Sequence, residues 1–165
     1  MCVLGGYLDW KERWIDAGRG ALPHAPAQLE MLALEACLDR IAAEGLSAVT
    51  ARHAAAAAAT RAGALALGIA PYVGRVAAAA PVATTLRVPE ASLVVAKALA
   101  ADPAAPLAAG GGALAREMVR VNHYGTAASP ETVDSCLTAL AAALGLPPAG
   151  ALAAAAAAWS AAPSA

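Results

Sequence analysis

The stretch Met118-Val119-Arg120-Val121-Asn122-His123-Tyr124-Gly125 joins a short apolar strand to an arginine, a histidine and a glycine. The guanidinium of Arg120 can hold a carboxylate through two parallel charge-assisted hydrogen bonds, a geometry that an ammonium group does not reproduce. Residue type alone makes a surface ion pair the commoner use of such an arginine. Upstream, Gly110-Gly111-Gly112 invites comparison with a phosphate loop. It lacks both dinucleotide and Walker spacing, and no Lys-Ser/Thr follows it. A loop with unusual backbone angles, or one that something must approach closely, is the better expectation.

Other reactive side chains form no comparable constellation. His24, His53 and His123 show no ligand spacing with cysteines or carboxylates, so no metal site is expected. Cys136, His123 and Asp134 could be drawn as a nucleophile, base and orienting acid. Cys136 falls inside a predicted helix, and nothing around it supports that chemistry.

Composition narrows the classes. The 165 residues suggest one domain able to bury a core, and a formal charge of −1 gives no electrostatic reason to expect nucleic acid or an anionic membrane as partner. Alanine is abundant and phenylalanine absent, so burial must lean on Leu, Val, Ile, Met and tryptophan. The three cysteines, Cys2, Cys37 and Cys136, are odd in number and far apart, as in a reduced cytoplasmic protein. No secretory signal is visible. The alanine-rich tail is cut by Pro147, Pro148 and Gly150, and a membrane span is not expected.

Several elements must position the arginine. Aromatic residues Tyr7, Trp10 and Trp14 mark a lead-in, and Pro23 and Pro26 open onto a helix over roughly 27–44. In that helix Met31, Leu34, Leu38 and Ile41 recur at helical spacing. A second helix runs from about Ser47 to Leu67, closed by Gly68. Residues 69–73 and 83–88 read as strands, 91–101 as a helix, and 107–109 and 118–122 as strands. Ser129-Pro130-Glu131 is a helix start, and Gly145 its stop. A final helix over 151–160 would have Trp159 as its one bulky anchor. The fold class expected is α/β, an α+β arrangement: a long helix, then a small sheet of three or four strands covered by helices on one face. The expected division is a lead-in over residues 1–26, a helix and sheet domain over 27–146, and a tail over 147–165.

Four segments together resemble the C-terminal part of class V aminotransferases, fold-type I enzymes that use pyridoxal 5'-phosphate. They are Tyr7-Leu8-Asp9-Trp10-Lys11 with Trp14; Pro23-His24-Ala25-Pro26 before Leu34-Glu35-Ala36-Cys37-Leu38; Glu44-Gly45-Leu46 with Arg52-His53; and the triple glycine leading to Arg120-Val121-Asn122-His123-Tyr124-Gly125. The pyridoxamine–pyruvate branch is the nearest match.

The resemblance implies that residues 1–26 are a linker remnant of a large cofactor domain, that the helix from Ala27 links it to a small domain, and that the small sheet is largely antiparallel. It implies that Arg120 binds the carboxylate of an amino or keto acid, with Gly110, Gly111 and Gly112 in an active-site loop. It implies that His24 and Ala25 reach toward the cofactor phosphate of a partner subunit. No catalytic residue is assigned to this chain. The family's Schiff-base lysine lies upstream of the Tyr7 segment, and neither Lys11 nor Lys97 matches it. Ala25 stands where threonine is frequent, and Glu117 brings a negative charge near the glycine loop. The chain is therefore expected to be the small domain of an aminotransferase, inactive alone, paired in a homodimer or with a separate large-domain chain. The alternatives are a non-catalytic association module and a gene remnant.

Overall fold

The computed structural model describes Gly18 and residues 27–162. The lead-in aromatics, His24 and Ala25 lie outside the described residues. The chain divides into two compact units, residues 1–43 and 44–165.

In the first unit the described structure is essentially α1, Gln28–Glu44, whose last residue belongs to the second unit. Straight-chain helix formers and alanine dominate it, with Glu30 in its first turn where the helix dipole favours a negative charge. No residue of α1 is buried, and Leu29, Met31, Leu32, Leu34 and Leu38 are all exposed. The periodic apolar stripe read in the sequence is present along the helix.

The second unit begins with α2, Leu46–Ala66. The helix stops because Gly68 adopts a left-handed conformation (φ 77°), which lets Gly68 N–H donate to Leu65 O and Ile69 N–H to Ala64 O. Gly145 (φ 69°) closes the helix of residues 130–144 in the same way, with Leu146 N–H donating to Ala141 O.

Strands β1 (Ala83–Arg87), β2 (Leu107–Ala109) and β3 (Met118–Asn122) form an antiparallel sheet in the order β1-β3-β2. Residues 69–73, expected as a strand, contribute an isolated bridge between Pro71 and Leu86 at the free edge of β1. Tyr72 N–H donates to Thr85 O and Arg87 N–H to Ala70 O on either side of Pro71, and the pairing goes no further.

Helices α3 (Ala91–Ala101) and α4 (Pro130–Leu144) pack on the sheet. Leu86, Leu107, Val119 and Val121 meet Val94, Val95 and Ala98 from α3 and Cys136 and Leu140 from α4 in one buried cluster. The Ser129 hydroxyl caps α4 by accepting from Thr132 N–H, with Pro130 in the first turn.

The last helix, α5 (Ala149–Ser160), is better anchored than the sequence suggests. Ala151 and Ala155 are buried, and α5 lies along the alanine-rich side of α2. Small side chains on both helices permit a close backbone approach, so the contact needs no bulky anchor.

Candidate carboxylate-binding face

Alternation along β3 decides where Arg120 goes. Val119 and Val121 are fully buried against the helices, so Arg120 between them projects to the opposite, exposed face of the central strand. Thr85 of β1 and Ala108 of β2 stand directly across from it. Among the described residues Arg120 has no hydrogen bond or ion pair, which leaves its donor fork uncommitted. The surface ion pair that residue type alone favours is not formed.

Arg87 shares this face, one diagonal step away, since it pairs with Met118 while Thr85 pairs with Arg120. Its guanidinium is engaged: it lies 4.4 Å above the Tyr72 ring and 3.9 Å from Glu117. Tyr72 Oη donates to Glu117 Oε1 at 3.1 Å, and that bond raises the phenol above its ordinary pKa. Glu117 thus directs its carboxylate to Tyr72 and Arg87.

The triple glycine runs on from β2 beside the start of β3. Gly110 N–H donates to Met118 O at 2.8 Å. A Cβ at Gly110 would stand 2.6 Å from Leu114 Cβ and 2.8 Å from Leu114 O, so the short helical turn that follows demands a glycine there. Gly112 has φ 56°, the left-handed region that glycine enters without strain. Gly110, Gly111 and Gly112 therefore adjoin the strand that carries Arg120, with a backbone reason for two of them.

His123 parts company with Arg120. Three residues along the chain puts it on the opposite side, fully buried, with Nε2 3.0 Å from Thr84 Oγ1. Burial, and then the positive surroundings of His53 and Arg61, push its pKa down to about 4. It is a neutral core imidazole, outside the Arg120 face.

Cys136 is also fully buried, and burial followed by the charge of Asp102 pushes its thiol up to about 12, so it is an inert core thiol. Among the described residues no group of three or more His, Cys, Asp or Glu could hold a metal ion. No helix among them is long and apolar enough to cross a membrane. Lys97 is exposed on α3, in the helical layer on the far side of the sheet from Arg120.

No family model matches the chain. It is 31% identical over 139 residues to the pyridoxamine–pyruvate transaminase of Mesorhizobium japonicum, an alignment covering 83% of this chain and 35% of that protein. The crystal structure of pyridoxamine-pyruvate aminotransferase from Mesorhizobium loti superposes with a TM-score of 0.74 at 28% identity, covering 85% of this chain and 38% of that one. Ureidoglycine–glyoxylate aminotransferase from Bacillus subtilis gives a TM-score of 0.75 at 26% identity, covering 91% and 41%. The chain corresponds to the C-terminal part of class V aminotransferases. It spans 35% of the curated relative's length and 38% and 41% of the two solved chains.

Within this aminotransferase region, Arg120 and the glycines adjoin on β3 and the end of β2. Sequence reasoning overlooked two other residues. Arg52, which ties α2 to the turn after β3, was visible only as part of a matched segment, and Arg61 only as a polar helix position.

Proposed function

We propose that this chain supplies the substrate-carboxylate grip of a pyridoxal-phosphate-dependent aminotransferase, which moves an amino group from an amino acid or pyridoxamine to a small 2-oxo acid. The observation that carries this reading is Arg120: exposed and unpaired among the described residues, at the centre of the sheet face opposite α3 and α4 in a domain that superposes on two aminotransferases. An arginine so placed orients a planar carboxylate without first giving up a protein partner.

Pyridoxal phosphate, when bound, supplies the electron sink for amino transfer. The described residues do not include a covalent anchor for it, since Lys97 lies in the helical layer away from Arg120. The reading therefore places that anchor on a large-domain segment or chain, with His24 and Ala25 near the cofactor phosphate of a partner subunit. The exposed apolar side chains of α1 support a protein partner for this region.

The test is to incubate the purified chain with pyridoxal phosphate, reduce with borohydride, and assay amino transfer to pyruvate or glyoxylate. The chain alone should give no stoichiometric adduct and no turnover. Turnover should appear when a lysine-bearing large-domain polypeptide is joined to it or co-purified with it. Turnover by the chain alone would refute the division of labour.

A further inference from the structure

At the free edge of β1 lies a recess of about 270 Å³, bordered by Arg61, Pro71, Val73, Thr84, Thr85 and residues 78–80. It meets the Arg120 face at Thr85, but Arg120 is not part of its wall. Three features of it point to a ligand.

Arg61 is half-buried on α2, and among the described residues it has neither a hydrogen bond nor an ion pair. No acid offsets its burial, so desolvation alone acts on it and lowers its pKa. An arginine held this way, beside empty space, favours an anion in that space.

Thr84 offers the second feature. Its hydroxyl is paired with His123 Nε2, while His123 Nδ1 has no partner. A buried orphan acceptor is tolerated better than a buried orphan N–H, which favours the tautomer with the proton on Nε2. Nε2–H then donates to Thr84 Oγ1, and the Thr84 proton is left free for an acceptor in the recess.

The third feature is main-chain. His123 N–H donates to Val82 O, and Val88 N–H to Glu117 O, so the even-numbered residues of this strand bond to β3. The amides of Ala83 and Thr85 consequently point to the free edge that the recess borders. Tyr72 N–H uses Thr85 O there, but among the described residues no main-chain carbonyl accepts from the Ala83 or Thr85 amide.

We propose that this recess binds a small monocarboxylate with a short apolar body. The carboxylate sits between Arg61, the Thr84 hydroxyl and the edge amides. The apolar body lies against Pro71, Val73 and residues 78–80. This apolar lining disfavours inorganic phosphate, whose further oxygens would meet no donors on that side.

The proposal is independent of the Arg120 reading, and the experiment keeps the two apart. Butyrate and inorganic phosphate are titrated into the 15N-labelled chain, following amide shifts. Butyrate should saturate and shift the Ala83 and Thr85 amides most. Thr84→Val and Arg61→Gln should each weaken butyrate at least about 10-fold, the loss expected for a charge-assisted hydrogen bond, while Arg120→Gln should leave it unchanged. If Arg61→Gln fails to fold, the wild-type shift map and Thr84→Val still decide. No saturable butyrate binding, shifts centred on β2 and β3, phosphate binding as tight as butyrate, or loss of binding in Arg120→Gln would each overturn it.

Discussion

Arg52 and Glu44 form a two-pronged ion pair, with Nε to Oε1 at 2.7 Å and Nη2 to Oε2 at 2.8 Å. The remaining nitrogen of the same guanidinium donates to the carbonyls of Gly125 at 2.6 Å and Ala128 at 3.2 Å. One side chain thus fastens the beginning of α2 to the turn that follows β3, the strand bearing Arg120. The hydrogen bond to Glu44 is the main reason the Arg52 pKa is raised.

Replacing this guanidinium should loosen the turn. Arg52→Ala is expected to lower stability by about 1.5–3 kcal/mol, the range for hydrogen bonds to charged groups. Arg52→Lys should recover only part, because an ammonium cannot serve the carboxylate fork and both carbonyls at once. Urea unfolding of the three proteins checks the order. Equal midpoints for wild type and Arg52→Ala would show that the contacts are passive.

Gly63 reports on the packing of α2. Alanine in a helix interior ordinarily gains about 1 kcal/mol over glycine. Here a Cβ would collide with the Leu137 side chain and stand 3.1 Å from Ala151 O. Leu137 is fully buried and has little room to turn away. Gly63→Ala should therefore destabilise, by about 1–3 kcal/mol as overpacking does. Thermal unfolding gives the sign directly, and a gain in Tm would contradict the close approach of α2 to α4 and α5.

His123 sets an acid limit. Its pKa falls from 6.5 to about 4 in the folded chain, so between those values the unfolded chain takes up a proton that the folded chain refuses. Stability should decline as pH falls from 6.5 toward 4 and lose no more through this group below that. The full loss is about 3 kcal/mol, from about 1.4 kcal/mol per pKa unit. The groups acting on it from α2 are His53 and Arg61, both of which oppose its charging. His123→Gln should flatten the profile in this window, read as urea midpoints from pH 7 to pH 4. An unchanged slope would assign the acid sensitivity elsewhere.

The elements were legible where local chemistry determined them. Val119, Arg120 and Val121 alternate at the period of a half-buried strand, and Ser129-Pro130-Glu131 and Gly145 fix the two ends of α4 from sequence alone. The small sheet with helices on one face followed from the order of these pieces, and its antiparallel sense from the family resemblance. The anchoring of α5 was not legible, because small residues signal close packing only when the opposing helix is known. His123 misled for a related reason. Its neighbour Arg120 shares the segment but not the face, and only the register separates a surface guanidinium from a core imidazole. The recess beside Arg61 draws on α2, the turn before β1 and β1 itself, a meeting that no single segment announces.

Arg120 separates fold from function most cleanly. Because it is exposed and unpaired among the described residues, Arg120→Gln should change stability by no more than about 0.5 kcal/mol. Under the proposed function, with the chain joined to a lysine-bearing large domain, the same change should lower kcat/KM for a 2-oxo acid by about 10- to 100-fold, the loss of a charge-assisted bond. Arg120→Lys should rescue little, since the paired geometry is lost with the fork. An aldehyde acceptor lacking the carboxylate, such as propanal in place of pyruvate, should react slowly with wild type and be almost unaffected by the substitution. That difference identifies the carboxylate as what the arginine touches. If propanal and pyruvate suffer equally, Arg120 acts through the shape of the site and not through the acid group.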